Sequence, residues 1–258
     1  MTDLPPAIRR ILAPNPGPMT LDGTNTWVVG LPGAPALVVD PGPLDEEHLR
    51  RVQREAGEVA VIVLTHRHLD HTEGAFRFAE LTGAGVRAAD PPYAVVTDDC
   101  DGRLRDGQDL STGGLSVRVL ATPGHTSDST SLLITSALGA WLLTGDMVLG
   151  HGTTVITHPD GDLAAYLDSL AVMLAVVREC EVDAILPGHG PVVTDPVGVL
   201  THYRQHRLER LEQVRAALRL GDQTPAEVVA RVYADVDRSV WPAAEQSVSA
   251  QLDYLRSR

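Results

Sequence analysis

The chain has 258 residues, 43% of them hydrophobic and 21% charged. This is globular composition, which excludes a disordered tail, a collagen-like chain and a disulfide scaffold. The 21 basic residues are all Arg and face 34 acidic ones, for a formal net charge of −13; such acidity argues against broad nucleic-acid binding, whose usual footprint is a basic face.

Short apolar runs bounded by Gly, Pro and Asp predict strands at 8–13, 26–29 and 36–39. Helical spacing follows at 44–56, then a strand at 60–64 and a helix at 74–82. Strands at 116–120, 131–135 and 141–144 precede a helix over 162–179 and a strand at 184–186. With aromatics at only 4%, their core is built from Val, Leu, Ile and Ala. After Pro196 the strand signal stops. Residues 199–220 read as one long helix with Gly221 as its stop, Thr224 caps a helix over 225–234, and Pro242 starts a last one to Leu255. The charge changes there too: residues 198–258 hold 9 Arg and 8 acidic residues, the rest 12 and 26. Two domains are expected, 1–196 and a helical 197–258, with mixed strands and helices in the first.

Cys100 and Cys180 stand far apart without a CxxC partner, which favours a reducing compartment. The N-terminal stretch lacks the apolar run of a signal peptide, and the longest apolar run, 170–177, is too short to span a bilayer. A cytoplasmic protein with no membrane partner is expected.

Four apolar strands each run into a loop bearing metal-ligand residues. The first leads to His66, His68, Asp70 and His71; the others lead to His125, Asp146 and His189. Strand ends are how a rigid scaffold converges side chains on a point. Imidazoles and carboxylates suit zinc, and also iron or manganese. Four ligands within six positions exceed what one tetrahedral ion takes from so short a loop. Seven candidates match a dinuclear site with one shared carboxylate. Singly, His125 or His189 reads as a polar loop residue and Asp146 as a turn residue; beside the first cluster that reading loses its force. Of the other histidines, His48 reads as a solvated helix residue, and His151 could reach the site mouth.

His66-Arg67-His68-Leu69-Asp70-His71, Thr122-Pro123-Gly124-His125, Thr144-Gly145-Asp146 and Pro187-Gly188-His189-Gly190 resemble the metallo-β-lactamase-fold hydrolases. The resemblance implies an α+β, four-layer αβ/βα sandwich with metals at one edge of its two sheets. Asn15-Pro16-Gly17-Pro18, Gly23-Thr24-Asn25-Thr26, Asp40-Pro41-Gly42, Gly150-x-Gly152-Thr153-Thr154, Tyr166-Leu167-x-Ser169-Leu170 and His206-Arg207-x-x-Arg210 look like the β-lactamase-like protein 2 group, whose mitochondrial members are endoribonucleases. That likeness implies a small winged-helix-like C-terminal domain. By motif, His66, His68 and His125 resemble the ligands of a first Zn2+, Asp70, His71 and His189 those of a second, and Asp146 the bridge. Asp70 and Asp146 are then the catalytic carboxylates. Asn25, His151, Thr153, Tyr166 and Arg207 are the candidate substrate contacts.

The implied enzyme is a dinuclear zinc hydrolase attacking with a metal-bridging hydroxide. Its substrate is single-stranded RNA or, alternatively, a small thioester, lactone or β-lactam, as in glyoxalase II-like enzymes. The acidity favours the small substrate; the arginine row Arg204, Arg207, Arg210, with Arg215 and Arg219 further on, favours RNA, although a solvated helix face explains that row equally well. Iron-dependent non-hydrolytic chemistry, also known in the superfamily, is the weaker reading, because the full seven-ligand set favours two metals and no flavodoxin domain is present. Few basic side chains follow Thr224, which argues against DNA binding. The C-terminal segment reads as a cover over the site or as a homodimer surface.

Overall fold

Alternation along short Val- and Leu-rich runs produces two sheets in a computed structural model of the chain, which describes residues 4–97 and 101–257. The first contains β1 (Ile8–Leu12), β2 (Asn25–Val29), β3 (Ala36–Val39), β4 (Val59–Val63) and β5 (Val86–Arg87) in that spatial order. The second contains β6 (Ser116–Ala121), β7 (Thr130–Ser136), β8 (Gly139–Gly145) and β9 (Ala184–Pro187), again in order. Each sheet begins antiparallel and ends parallel. Parallel neighbours need crossovers. Helices supply them: α1 (Glu46–Ala56) links β3 to β4, and α4 (Leu163–Glu179) links β8 to β9. Between β4 and β5 lie the single turn α2 (Leu69–Thr72) and α3 (Ala75–Thr82).

The two faces of each sheet explain the layers. Trp27, Val29, Leu37 and Val63 of the first sheet meet Val117, Leu132, Ile134 and Leu143 of the second in a buried middle core. Val28, Val38 and Ile62 turn the other way, onto Leu49 and Val52 of α1 and Phe78 of α3. Leu133, Leu142 and Ile185 likewise meet Tyr166, Leu170 and Met173 of α4. The result is the expected α/β/β/α sandwich. Each large apolar side chain withdrawn from water contributes about 1.5–3 kcal/mol, so both sheets are anchored on both faces.

α5 (Pro196–Arg219) starts three residues earlier than its spacing predicts, because Asp195 caps it by accepting the Gly198 N–H and Pro196 suits a first turn. Its first half, through Leu200 and Tyr203, joins the outer layer on the second sheet. Its second half packs Val214 and Ala217 against Val228 and Val229 of α6 (Pro225–Val232) and Val248 and Leu252 of α7 (Trp241–Arg256). Thr224 caps α6 through a reciprocal capping box with Glu227.

The sequence reading misses β5 and α2, which are too short to display a period. It also errs on His48. The side chain is buried, 3% exposed, with its Nε2 3.0 Å from Thr26 Oγ1. It sits in the first turn of α1, on the face that meets β2, so helical amphipathicity hides it. Cys100 lies outside the described residues, and Cys180 is a free thiol. Among the described residues no helix is long and apolar enough to cross a membrane.

Candidate metal centre

The ends of β4, β6, β8 and β9 open on one edge of the sandwich, where the imidazoles and carboxylates gather. His66 Nε2 lies 3.0 Å from His68 Nδ1, which lies 3.1 Å from His125 Nε2. Beside this trio, His71 Nε2 and His189 Nε2 are 3.2 Å apart, with Asp70 Oδ2 at 3.3 and 3.1 Å from them. Asp146 stands between. Its Oδ2 is 4.0 Å from His66 Nε2, 3.9 Å from His125 Nε2 and 3.4 Å from His189 Nε2, and its Oδ1 is 3.5 Å from His71 Nε2. Two groups, His66–His68–His125–Asp146 and Asp70–His71–His189, each bring one donor atom per residue within 4.8 Å of the others.

What holds the rings is visible at their far nitrogens. His125 Nδ1 donates to the Val155 carbonyl at 2.6 Å, and His189 Nδ1 to the Gly23 carbonyl at 3.1 Å. Asp40 organises the other pair. Its Oδ2 accepts from His71 Nδ1 at 2.8 Å and from Thr65 Oγ1 at 2.7 Å, and that hydroxyl in turn accepts from His66 Nδ1 at 3.0 Å. Four imidazoles are thereby fixed with Nε2 directed at the cluster, the arrangement that makes a good metal ligand. Arg67 ties the loops together, ion-pairing with Asp90, Asp128 and Asp160 at 3.2–3.4 Å and donating to Ser127 Oγ at 3.0 Å. The two sheets are clasped at the same edge. Asn25 Nδ2 and Trp27 Nε1 both donate to the Pro187 carbonyl, at 2.9 and 3.1 Å, Asn25 Nδ2 also reaches Gly190 O, and the Asn25 N–H donates to Gly188 O.

Burial and mutual repulsion set the protonation of the cluster. Burial keeps His66 and His125 neutral, the latter lowered to about 4. Burial acts on His71 and His189 as well, but Asp70, Asp146 and Asp40 outweigh it at His71, holding its pKa well above the usual range, and Asp146 and Asp70 raise His189 to about 9. Both carboxyls, although burial opposes it, are held low by the neighbouring imidazoles. The donors fit divalent cations. Asp146 Oδ1 is buried without a hydrogen-bond partner, and ring nitrogens face one another at contact distance, His71 against His189 and His68 against His125. Gly188 leaves the room this needs: a Cβ there would lie 2.4 Å from Asp146 Oδ1 and 2.9 Å from His71 Cε1.

Residues 19–189 match the family model described as the metallo-β-lactamase superfamily. The chain belongs to that superfamily. With this cluster in place it is a metal-dependent hydrolase whose cofactors are divalent metal ions. Residues 224–258 match the β-lactamase associated winged helix domain. A β-lactamase-like protein 2 homolog of Drosophila melanogaster is 34% identical over 281 residues, spanning 99% of this chain and 89% of the fly protein. An atrochrysone carboxyl ACP thioesterase of Aspergillus chevalieri is 34% identical over 251 residues, 91% of this chain and 76% of that protein. In three dimensions, a β-lactamase domain protein from Burkholderia ambifaria superposes with a TM-score of 0.80 at 24% identity, over 99% of this chain and 87% of that one.

In this superfamily member a cavity of about 400 Å³ runs from the cluster to the C-terminal helices. His125 and Asp146 line one side; Leu21, Leu149 and Val155 form an apolar wall; α5 and α7 close the other side. Of the candidate substrate contacts, His151, Thr153 and Arg207 line it. Asn25 and Tyr166 do not. Asn25 is spent on the clasp, and the Tyr166 hydroxyl donates to the Met147 carbonyl at 2.7 Å, buttressing the strand end that carries Asp146. Sequence reasoning assigns no role to Asp40, although it too follows a strand, β3, and the strand-end rule finds it. Arg210 of the arginine row also lines the cavity, and so does Tyr233, which carries no comparable signal in the sequence.

Proposed function

We propose that this chain hydrolyses a small acyl thioester at a pair of zinc ions. In this reading His66, His68 and His125 hold one ion, Asp70, His71 and His189 hold the other, and Asp146 is shared. Zinc suits such a set of imidazoles and carboxylates, with iron or manganese as substitutes. When bound, the two cations supply Lewis acidity, bringing a water's pKa to about 7 and stabilising an oxyanion. Asp70 keeps 28% of its side chain exposed, the most open carboxylate of the cluster, and orients the attacking water. Asp146 fixes the spacing between the two groups, and the apolar wall excludes bulk water from the reacting carbonyl.

One observation carries the choice of substrate. The space over the cluster is a bounded cavity with an apolar wall, sized for a small molecule. The relative named as an acyl carrier protein thioesterase supports the same choice. The arginine row offers no continuous track for a phosphodiester polymer. Arg207 is buried, Arg204 and Arg219 are exposed elsewhere on the helix, and Arg215 is paired with Glu212.

The test is to measure metals per chain and turnover of N-acetylcysteamine thioesters and of labelled single-stranded RNA by zinc-, iron- and manganese-loaded protein. Asp146→Asn serves as the contamination control. Thioester hydrolysis by wild type alone supports the reading. RNA cleavage with inert thioesters replaces it by the ribonuclease reading.

A further inference from the structure

We infer that the helical side of the cavity is an anion subsite, in which Arg207 and Arg210 hold a carboxylate or phosphate on the tail of the substrate whose carbonyl lies at the cluster. The inference rests on the small-substrate reading above.

The observation behind it is a missing partner. Arg67 meets Asp90, Asp128 and Asp160, and Arg77 meets Glu46 and Glu80, whereas the less buried Arg9 donates to the Pro6 and Gly30 carbonyls. Arg207 is 3% exposed, yet among the described residues no carboxylate pairs with it. Its guanidinium donates to the Thr154 carbonyl and lies 5.0 Å from the Tyr166 ring centroid, and its Nε is buried with no partner at all. A buried cation compensated by neutral groups alone is costly unless something else neutralises it.

Arg210 repeats the pattern three residues on, on the same helix face. Its guanidinium is held 4.5 Å over the Tyr233 ring and donates to Val232 O at 3.2 Å and Gln213 Oε1 at 2.9 Å. The Gln213 contact is likewise to a neutral group. Both arginines line the cavity. Among the described residues the only acidic one lining it is Asp146, which the cluster already engages. His206, one residue before Arg207, also lines it with Nδ1 buried and unpartnered. Burial and the two guanidiniums lower its pKa to about 4, so it offers a hydrogen bond and not a third charge. Two oriented guanidiniums beside apolar walls match the planar, paired oxygens of a carboxylate or phosphate, and the low local dielectric strengthens that contact. The anion can come from the end of the acyl chain or from the thiol arm; both present the same chemistry to the pair.

The test uses full-length, zinc-loaded protein and non-hydrolysable thioether analogues, with CH2–S replacing the C(O)–S group. One analogue ends its acyl chain in a methyl, one in a carboxylate, and one carries a terminal phosphate on the thiol arm. Calorimetry should give binding of one anionic analogue about 10–100-fold tighter than the methyl one, the worth of a hydrogen bond to a charged group. Arg210→Gln should erase that preference, and Arg204→Gln, outside the cavity, should keep it. Whichever anionic analogue gains identifies the source. Arg207→Gln is buried and can fail to fold, so the decision rests on Arg210. Equal affinity for all three analogues in wild type, or a preference that survives Arg210→Gln, overturns the subsite. Turnover of the matching thioesters is scored separately: discrimination without turnover sinks the hydrolase substrate and keeps the subsite, and turnover without discrimination does the reverse.

Discussion

The strand-end cluster and the helical wall of the cavity face each other, and they are built on opposite terms. In the cluster the far side of each of four rings is spoken for: their far nitrogens are bonded to Asp40, Thr65, Val155 or Gly23. On the helical wall Arg207 and Arg210 are oriented by rings and carbonyls and left without carboxylates. The difference teaches that the side performing chemistry is over-determined by its own fold, whereas the side selecting the substrate keeps unspent charge for something from outside.

Breaking the over-determined side should have the largest effects. Asp146→Asn removes the carboxylate between the two groups and should cut hydrolysis by about 10³-fold or more, several kcal/mol of activation free energy. The circular dichroism spectrum should stay as in wild type; full activity with metal content verified would sink the site assignment. Asp40→Ala releases His71 and, through Thr65, His66, and should weaken metal affinity by about 10–100-fold. A chelator competition that finds unchanged affinity would mean the far-nitrogen bonds are incidental.

A smaller effect is expected where the two regions are joined. The Ser247 hydroxyl of α7 accepts the buried Ile156 N–H at 3.1 Å, next to the Val155 carbonyl that holds His125. Ser247→Ala leaves that donor unpaired and should cost about 1–3 kcal/mol, read as a fall in midpoint on thermal melting. An unchanged midpoint would disconnect the helices from the cluster. The smallest effect belongs to His48, whose pKa burial lowers. In the unfolded chain it protonates near pH 6.5, before the folded chain does, so stability should fall as pH drops through about 6.5. His48→Gln should flatten that fall; an identical pH profile would show that the ring's burial carries no protonation cost.

Much of the sandwich was legible because its signals are local. Of the nine strands among the described residues eight announce themselves as apolar runs, and the seven cluster residues follow strand ends or the turn after β4. What escaped is what depends on a neighbour brought in from afar. His48 stands at a position that sequence spacing assigns to solvent, yet β2 covers it. Tyr166 and Asn25 carry the polar groups expected of substrate contacts, but carbonyls across the sheet edge already engage them. Period reveals which face a side chain joins, not which partner waits there.

The clasp of Asn25 and Trp27 on Pro187, Gly188 and Gly190 has a mechanical consequence. His66, His68 and His71 hang from one sheet, and Asp146 and His189 from the other, so the gap between the sheets is the gauge of the metal site. Widening it to seat larger ions means breaking four hydrogen bonds at once. Such a gauge leaves little room for drift in the reacting centre, while α6 and α7, which take no part in the clasp, are free to be resculpted around new substrates without resetting it.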